Sequence, residues 1–180
     1  PEHIPANRQF LLSEIVSLAT VDVLNRYATG FSIKWPNDIY WHDKKIAGIL
    51  IENVLSGSTF SRAIIGMGLN INQKNFYSDA PNPVSLHQIT GHTYKIEKIL
   101  DEFTEALGKR YTDTFTNSSD RIHKEYIAAL YRNDGVYPFY SDGNIFHASI
   151  ADVELDGHLL LLTESGEKKR FAFKEVSFLL

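Results

Sequence analysis

The sequence predicts an α+β protein: a largely antiparallel or mixed sheet with helices packed on it, followed by a small β-barrel. Three observations predict it. Residues 9–27 and two later stretches carry apolar residues at three- and four-residue spacing. Residues 31–72 switch to a period of two, with short polar turns between apolar runs. Beyond Arg132-Asn133-Asp134-Gly135 the helical period vanishes and five short apolar runs follow in about 45 residues. The expected division is 1–132 and 133–180.

In the first helix Leu11, Ile15, Leu18, Ala19 and Val23 form one apolar stripe, and Gly30 helps to end the turn after it. Phe31, Ile33 and Trp35 then alternate with Ser32 and Lys34, and Pro36 breaks the strand because it has no N–H for a ladder. Asn37-Asp38 is turn chemistry. Ile39-Tyr40-Trp41 reads as a short strand and His42-Asp43-Lys44-Lys45 as a hairpin loop. The run from Ile46 to Val54 is nearly continuous in apolar residues, which predicts a central strand covered on both faces. Ser56-Gly57-Ser58 turns into a strand from Phe60 to Ile71. Loops this short predict antiparallel neighbours.

Ser85 is placed to cap a short helix ending at Gly91. In the next helix Ile96, Ile99, Phe103, Leu107 and Tyr111 share a face, with Asp101, Glu102 and Glu105 read as structural charges. Residues 120–131 predict another helix, with Ile122, Tyr126, Ile127 and Leu130 inward. Five strands follow, at 136–140, 145–155, 159–164, 168–173 and 176–179.

The 180 residues are 43% hydrophobic, enough for a real core. The formal net charge of -4 argues against a dedicated nucleic-acid binder, which needs a basic footprint. Absence of cysteine excludes a disulfide framework, a thiolate metal site and a cysteine nucleophile, and is compatible with a cytoplasmic protein. No apolar run approaches the roughly 18 residues of a spanning helix. No histidine or glutamate spacing suggests a metal site, and neither a phosphate-binding loop nor a Gly-x-Ser-x-Gly elbow is present.

Three stretches carry candidate chemistry. Alternation sends Lys34 to the face opposite Phe31, Ile33 and Trp35. A lysine on a rigid strand there can stabilise negative charge as it develops, although spacing alone favours a solvated surface lysine. Gly66, Gly68 and Asn70 share a face. Glycines weaken a strand, and either close approach of a ligand or a bulge with tight strand packing explains them. Asn70 can offer a donor and an acceptor together, as an adenine edge requires. Gly48 is a similar gap in an apolar strand, and Lys45 is either a second cation near the site or a solvated loop lysine.

In this order, Lys34-Trp35-Pro36-Asn37-Asp38-Ile39, Lys45-Ile46-Ala47-Gly48-Ile49-Leu50 and Gly66-Met67-Gly68-Leu69-Asn70 resemble successive signatures of the biotin protein ligases. The resemblance implies a partial class II synthetase-like ligase domain followed by an SH3-like barrel. It implies a ligase that activates biotin with ATP and Mg²⁺ to biotinyl-5′-AMP, then passes biotin to a lysine of a biotin carboxyl carrier protein or domain. It assigns the activated carboxyl and phosphate region to Lys34 as the catalytic residue, adenine to Asn70 and the pocket floor to Gly66 and Gly68. Lys45 and Gly48 join the binding set, and no protein metal ligand is implied.

The Gly-Arg-Gly-Arg type loop that the family places upstream has no counterpart here, and the chain opens on Pro1 without an initiator Met. The expectation is therefore the C-terminal part of a ligase, inactive or very feeble alone, with sheet edges that favour pairing with another copy. A non-catalytic carrier-binding module and a lipoate or octanoyl ligase are the competing readings.

Overall fold

The computed structural model describes residue 4 and residues 8–56, 59–77, 82–117 and 119–179. The Ser56-Gly57-Ser58 turn therefore lies partly outside the described residues.

Helix α1, Phe10–Leu24, is the centre of the first unit. The sequence predicts an amphipathic helix, but α1 is buried on nearly every side, Glu14, Ser17 and Thr20 included. The cause is its position: it packs on β1 (Phe31–Lys34) and β2 (Asp38–Trp41) and against α3 (Ile96–Asn117) and α4 (Ser119–Ala128). A helix covered all round has no polar face to keep.

Strands β1, β2, β3 (Lys44–Ser56) and β4 (Thr59–Leu69) form an antiparallel sheet in sequence order. Ile33 and Ile39, both fully buried, point at α1, as alternation from Phe31 predicts. The Trp35–Pro36 peptide is cis, and the chain turns there between β1 and β2. β3 is central, between β2 and β4, but it is not covered on both faces. Ile46, Ala47 and Ile49 are buried, whereas Leu50 is 62% exposed and Glu52 and Val54 are also exposed. The β3–β4 arm runs on past the end of β2, so no element covers its outer face among the described residues.

Ser85 caps α2 (Leu86–Thr90) with a complete capping box shared with Gln88, and Gly91 ends it in the left-handed region at φ 77°. On α3 the buried residues are Ile99, Phe103 and Ala106, with Thr114 beneath them. Ile96, expected inward, is exposed because it starts the helix ahead of its packing partners. On the last helix Ile122 and Tyr126 point inward as expected. Leu130 lies past its end in a bridge to Ile33.

The five C-terminal strands are β5 (Tyr137–Ser141), β6 (Asn144–Val153), β7 (Leu159–Thr163), β8 (Lys168–Phe171) and β9 (Ser177–Phe178). They form one antiparallel sheet in the order β8-β7-β6-β5-β9. The expected closed barrel is not formed. β9 is only two residues long and pairs with β5 alone, so β8 and β9 stay apart as open edges.

The two sheets share one buried cluster. The Trp35 indole N–H donates to the Gly157 carbonyl (2.9 Å), and Phe10 lies against Gly157 so closely that a Cβ there would be 2.6 Å from Phe10 Cδ2. His123 on α4 sits between Glu14 on α1 (2.7 Å) and Asp152 on β6 (2.9 Å). Burial pushes the His123 imidazole down, but the hydrogen bonds that its ring donates to both carboxylates outweigh it and hold the pKa above its ordinary value. Burial raises that of Glu14. No helix among the described residues is long and apolar enough to cross a membrane.

Candidate active site

The candidate residues meet on one face of the first sheet, and the pairing register explains how. Lys34 pairs with Asp38, Asp38 with Gly48, and Gly48 with Gly68. Directly paired residues of antiparallel strands project to the same side. These four therefore form a row across all four strands, on the face away from α1. Gly66, two residues from Gly68, shares that face and pairs with Leu50.

Lys45 reaches the row through a bulge. Ile39 pairs with Ala47 but Tyr40 pairs with Lys45, so Ile46 is an extra residue in β3. Strict alternation puts positions 45 and 48 on opposite faces; the bulge reverses this. Lys45 Nζ lies 2.6 Å from Asp38 Oδ1, and a Cβ at Gly48 would lie 3.3 Å from Lys45 Cε and Nζ and 3.4 Å from Asp38 Oδ1. Gly48 thus makes room for this ion pair.

The two β4 glycines are a different case. Among the described residues, a Cβ at Gly68 would meet nothing within 4 Å, and one at Gly66 only Leu50, at 3.7 Å and beyond. The register is regular across both positions; its one shift in β3–β4 falls between Val54 and Leu55. Among the described residues, neither a bulge nor tight internal packing therefore requires glycine at these two positions. Asn70 continues the ladder: its N–H donates to the Ile46 carbonyl (2.9 Å) and its carbonyl accepts from Leu86 (3.0 Å). Its backbone is thus held at the base of the row, beside the start of α2.

Lys34 itself is half-buried between aromatic rings, with Nζ 5.1 Å from the centroid of Tyr40 and 5.2 Å from that of Phe178. It makes no ion pair among the described residues, since Asp38 is engaged by Lys45. Burial lowers the Lys34 pKa, against the opposing pull of Asp38. Burial also pushes the Tyr40 hydroxyl up to about 12, so that ring stays neutral. Tyr40 pairs with Ser32 and so shares the face of Lys34, which hairpin register alone could have disclosed. Phe178 lies 144 positions away along the sequence, and no local pattern points to it.

Other charged clusters serve packing. Arg110 binds Asp22 through two hydrogen bonds (2.6 and 2.8 Å) and also Glu125, joining α1, α3 and α4. Glu102 accepts from Tyr27 at 2.9 Å, as a structural charge should. Glu154, Asp156 and His158 converge within 4.8 Å, which sequence spacing did not suggest, but Arg170 engages both carboxylates.

Residues 2–70 match the biotin/lipoate A/B protein ligase family. The chain is 28% identical over 179 residues to the bifunctional ligase/repressor BirA of Bacillus spizizenii, covering 94% of this chain and 53% of that protein. It is 30% identical over 128 residues to the biotin–[acetyl-CoA-carboxylase] ligase of Paracoccus denitrificans, covering 67% and 53%. The chain thus spans about half the length of these relatives. A solved biotin protein ligase from Aquifex aeolicus, in complex with biotin and ATP, superposes with a TM-score of 0.74 at 22% identity, covering 94% of this chain and 71% of that one. By these matches the chain is similar to biotin protein ligases along most of its length, residues 2–70 matching the biotin/lipoate A/B protein ligase family, and it shares the fold of the Aquifex aeolicus enzyme.

Proposed function

We propose that the chain supplies the carboxyl-activating lysine and the adenine side of the pocket in a biotin protein ligase. The observation that carries this reading is the row Lys34–Asp38–Gly48–Gly68, in which the one ammonium left without a carboxylate partner stands on the glycine-lined face. In the first step a carboxylate oxygen of biotin attacks the α-phosphorus of ATP, which enters with Mg²⁺ as substrate, and pyrophosphate leaves. In the second the ε-amine of a carrier lysine attacks the acyl carbon. An amide forms, AMP leaves and the amine releases a proton.

Both steps gather negative charge between carboxylate and phosphate. Lys34 stabilises that charge from a fixed position, with no reorganisation at the moment of reaction. Gly66 and Gly68 let the adenylate lie against the backbone, and Asn70 reads the adenine edge. Lys45 neutralises Asp38, so that this carboxylate neither repels the substrate nor captures Lys34. Residues 1–132 are taken as the catalytic part and 133–180 as an appended SH3-like unit. β4 has one hydrogen-bonded neighbour among the described residues, which supports pairing with a second copy through its outer edge.

Pyrophosphate exchange into ATP, run with biotin and then with lipoate, tests the reading in a protein that carries this sequence. Biotin-dependent exchange is expected. Exchange with lipoate alone would favour the lipoate ligase reading, and none with either would favour a carrier-binding module. No Gly-Arg-Gly-Arg type loop occurs among the 180 residues, so this stretch by itself is expected to turn over feebly if at all.

A further inference from the structure

Phe178 belongs to the C-terminal sheet, yet its ring lies over the ammonium of Lys34. It is not there by loose contact. Tyr131 and Phe139 hold it, with ring centroids 6.2 and 4.9 Å away, and Tyr131 in turn packs on Tyr40 at 5.3 Å. The next residue is tied back as well: the Leu179 N–H donates to the Pro138 carbonyl (3.3 Å), and its own carbonyl accepts from the Arg132 guanidinium (2.5 Å). An aromatic column thus runs from the C-terminal sheet to the candidate catalytic lysine.

We propose that Phe178 is a positioning residue for Lys34, whose ring, with that of Tyr40, keeps the ammonium dehydrated and off Asp38, so that it is available to an anion on the glycine-lined face. The inference rests on the reading of Lys34 as the group that meets the substrate's negative charge. Lys34 and Asp38 are direct cross-strand partners, and an unrestrained lysine would compete with Lys45 for that carboxylate. Aromatic faces attract a cation without neutralising it, and more strongly when water is excluded. The C-terminal sheet is then part of the machinery that prepares the lysine.

Lysine side-chain NMR of the protein, with Lys34→Met for assignment and inorganic pyrophosphate as the probe, tests this. The Lys34 ε-protons should resonate upfield of the other lysines because of the two rings; a position among the ordinary lysines would overturn the proposal without any Phe178 variant. On titration, Phe178→Leu should weaken the pyrophosphate affinity read at Lys34 on the order of 3- to 10-fold. Phe178→Tyr, which keeps a ring, should restore it to within about twofold. Phe178→Met replaces Phe178→Leu if the latter does not fold. Unchanged affinity in the ringless variant would remove Phe178 while leaving Lys34 in its role. A wild-type Lys34 signal blind to pyrophosphate would overturn both.

Discussion

Asp38 forms its ion pair with Lys45, at 2.6 Å, and not with Lys34, its direct partner across the β1–β2 ladder. This leaves one cation of the pair of lysines uncommitted on a face that glycines keep open. The pair is partly exposed, so its own contribution to stability is about 0–1 kcal/mol. Its larger effect is on Lys34. Lys45→Met should therefore change unfolding free energy by less than about 1 kcal/mol in a denaturant titration. It should lower the adenylation rate on the order of tenfold or more, because Asp38 then draws in Lys34.

Gly68 separates a structural from a ligand-binding requirement. Since a Cβ there meets nothing within 4 Å among the described residues, Gly68→Val should leave the melting temperature unchanged or raise it slightly through lower unfolded-state entropy. Binding of ATP or a non-hydrolysable adenylate, measured by calorimetry, should fall at least tenfold, as the side chain fills space taken from the ligand.

Gly157 couples the two sheets. Its φ of 93° is unfavourable for any other residue, and a Cβ would overlap Phe10 at 2.6 Å. Gly157→Ala should cost about 2–4 kcal/mol of stability. Trp35→Phe, which removes the indole donor to the Gly157 carbonyl together with part of a buried ring, should cost at least about 1–2 kcal/mol. Thermal unfolding of both variants checks the order.

His123 makes the contact between α1 and the C-terminal sheet sensitive to pH. Its folded pKa lies above the ordinary 6.5, so the imidazolium bound by Glu14 and Asp152 contributes fully below about pH 6.5. That contribution is lost as pH rises through the higher folded value. The raised pKa of Glu14 acts in the same direction but from lower pH, because burial penalises its carboxylate as pH rises above the ordinary 4.5. The unfolding free energy from denaturant titrations should fall from pH 6.5 upward by about 1–2 kcal/mol. His123→Gln should flatten that slope.

The elements near Lys34 were legible because local periodicity governs them: alternation from Phe31 to Trp35 put Ile33 against α1 and Lys34 on the other face. Ser85 and Gly91 marked α2 by cap chemistry that acts within four residues. What the sequence hid is non-local. The bulge at Ile46 that turns Lys45 toward Asp38 leaves no mark in the apolar pattern, and Phe178 reaches Lys34 only through the packing of two sheets. The all-round burial of α1 depends on four neighbours, and the openness of the C-terminal sheet on a last strand two residues long.

The most direct test of the account is biotinyl-5′-adenylate formation by a protein that carries this sequence, comparing Lys34→Ala with the unaltered protein at matched biotin and ATP. Removing one preorganised charge-stabilising group should lower the rate on the order of 10²- to 10³-fold. The melting temperature should hardly change, since Lys34 is half-buried and has no ion pair to lose among the described residues. A rate within about twofold of the unaltered protein would contradict the assignment of Lys34 and, with it, the site built around its row.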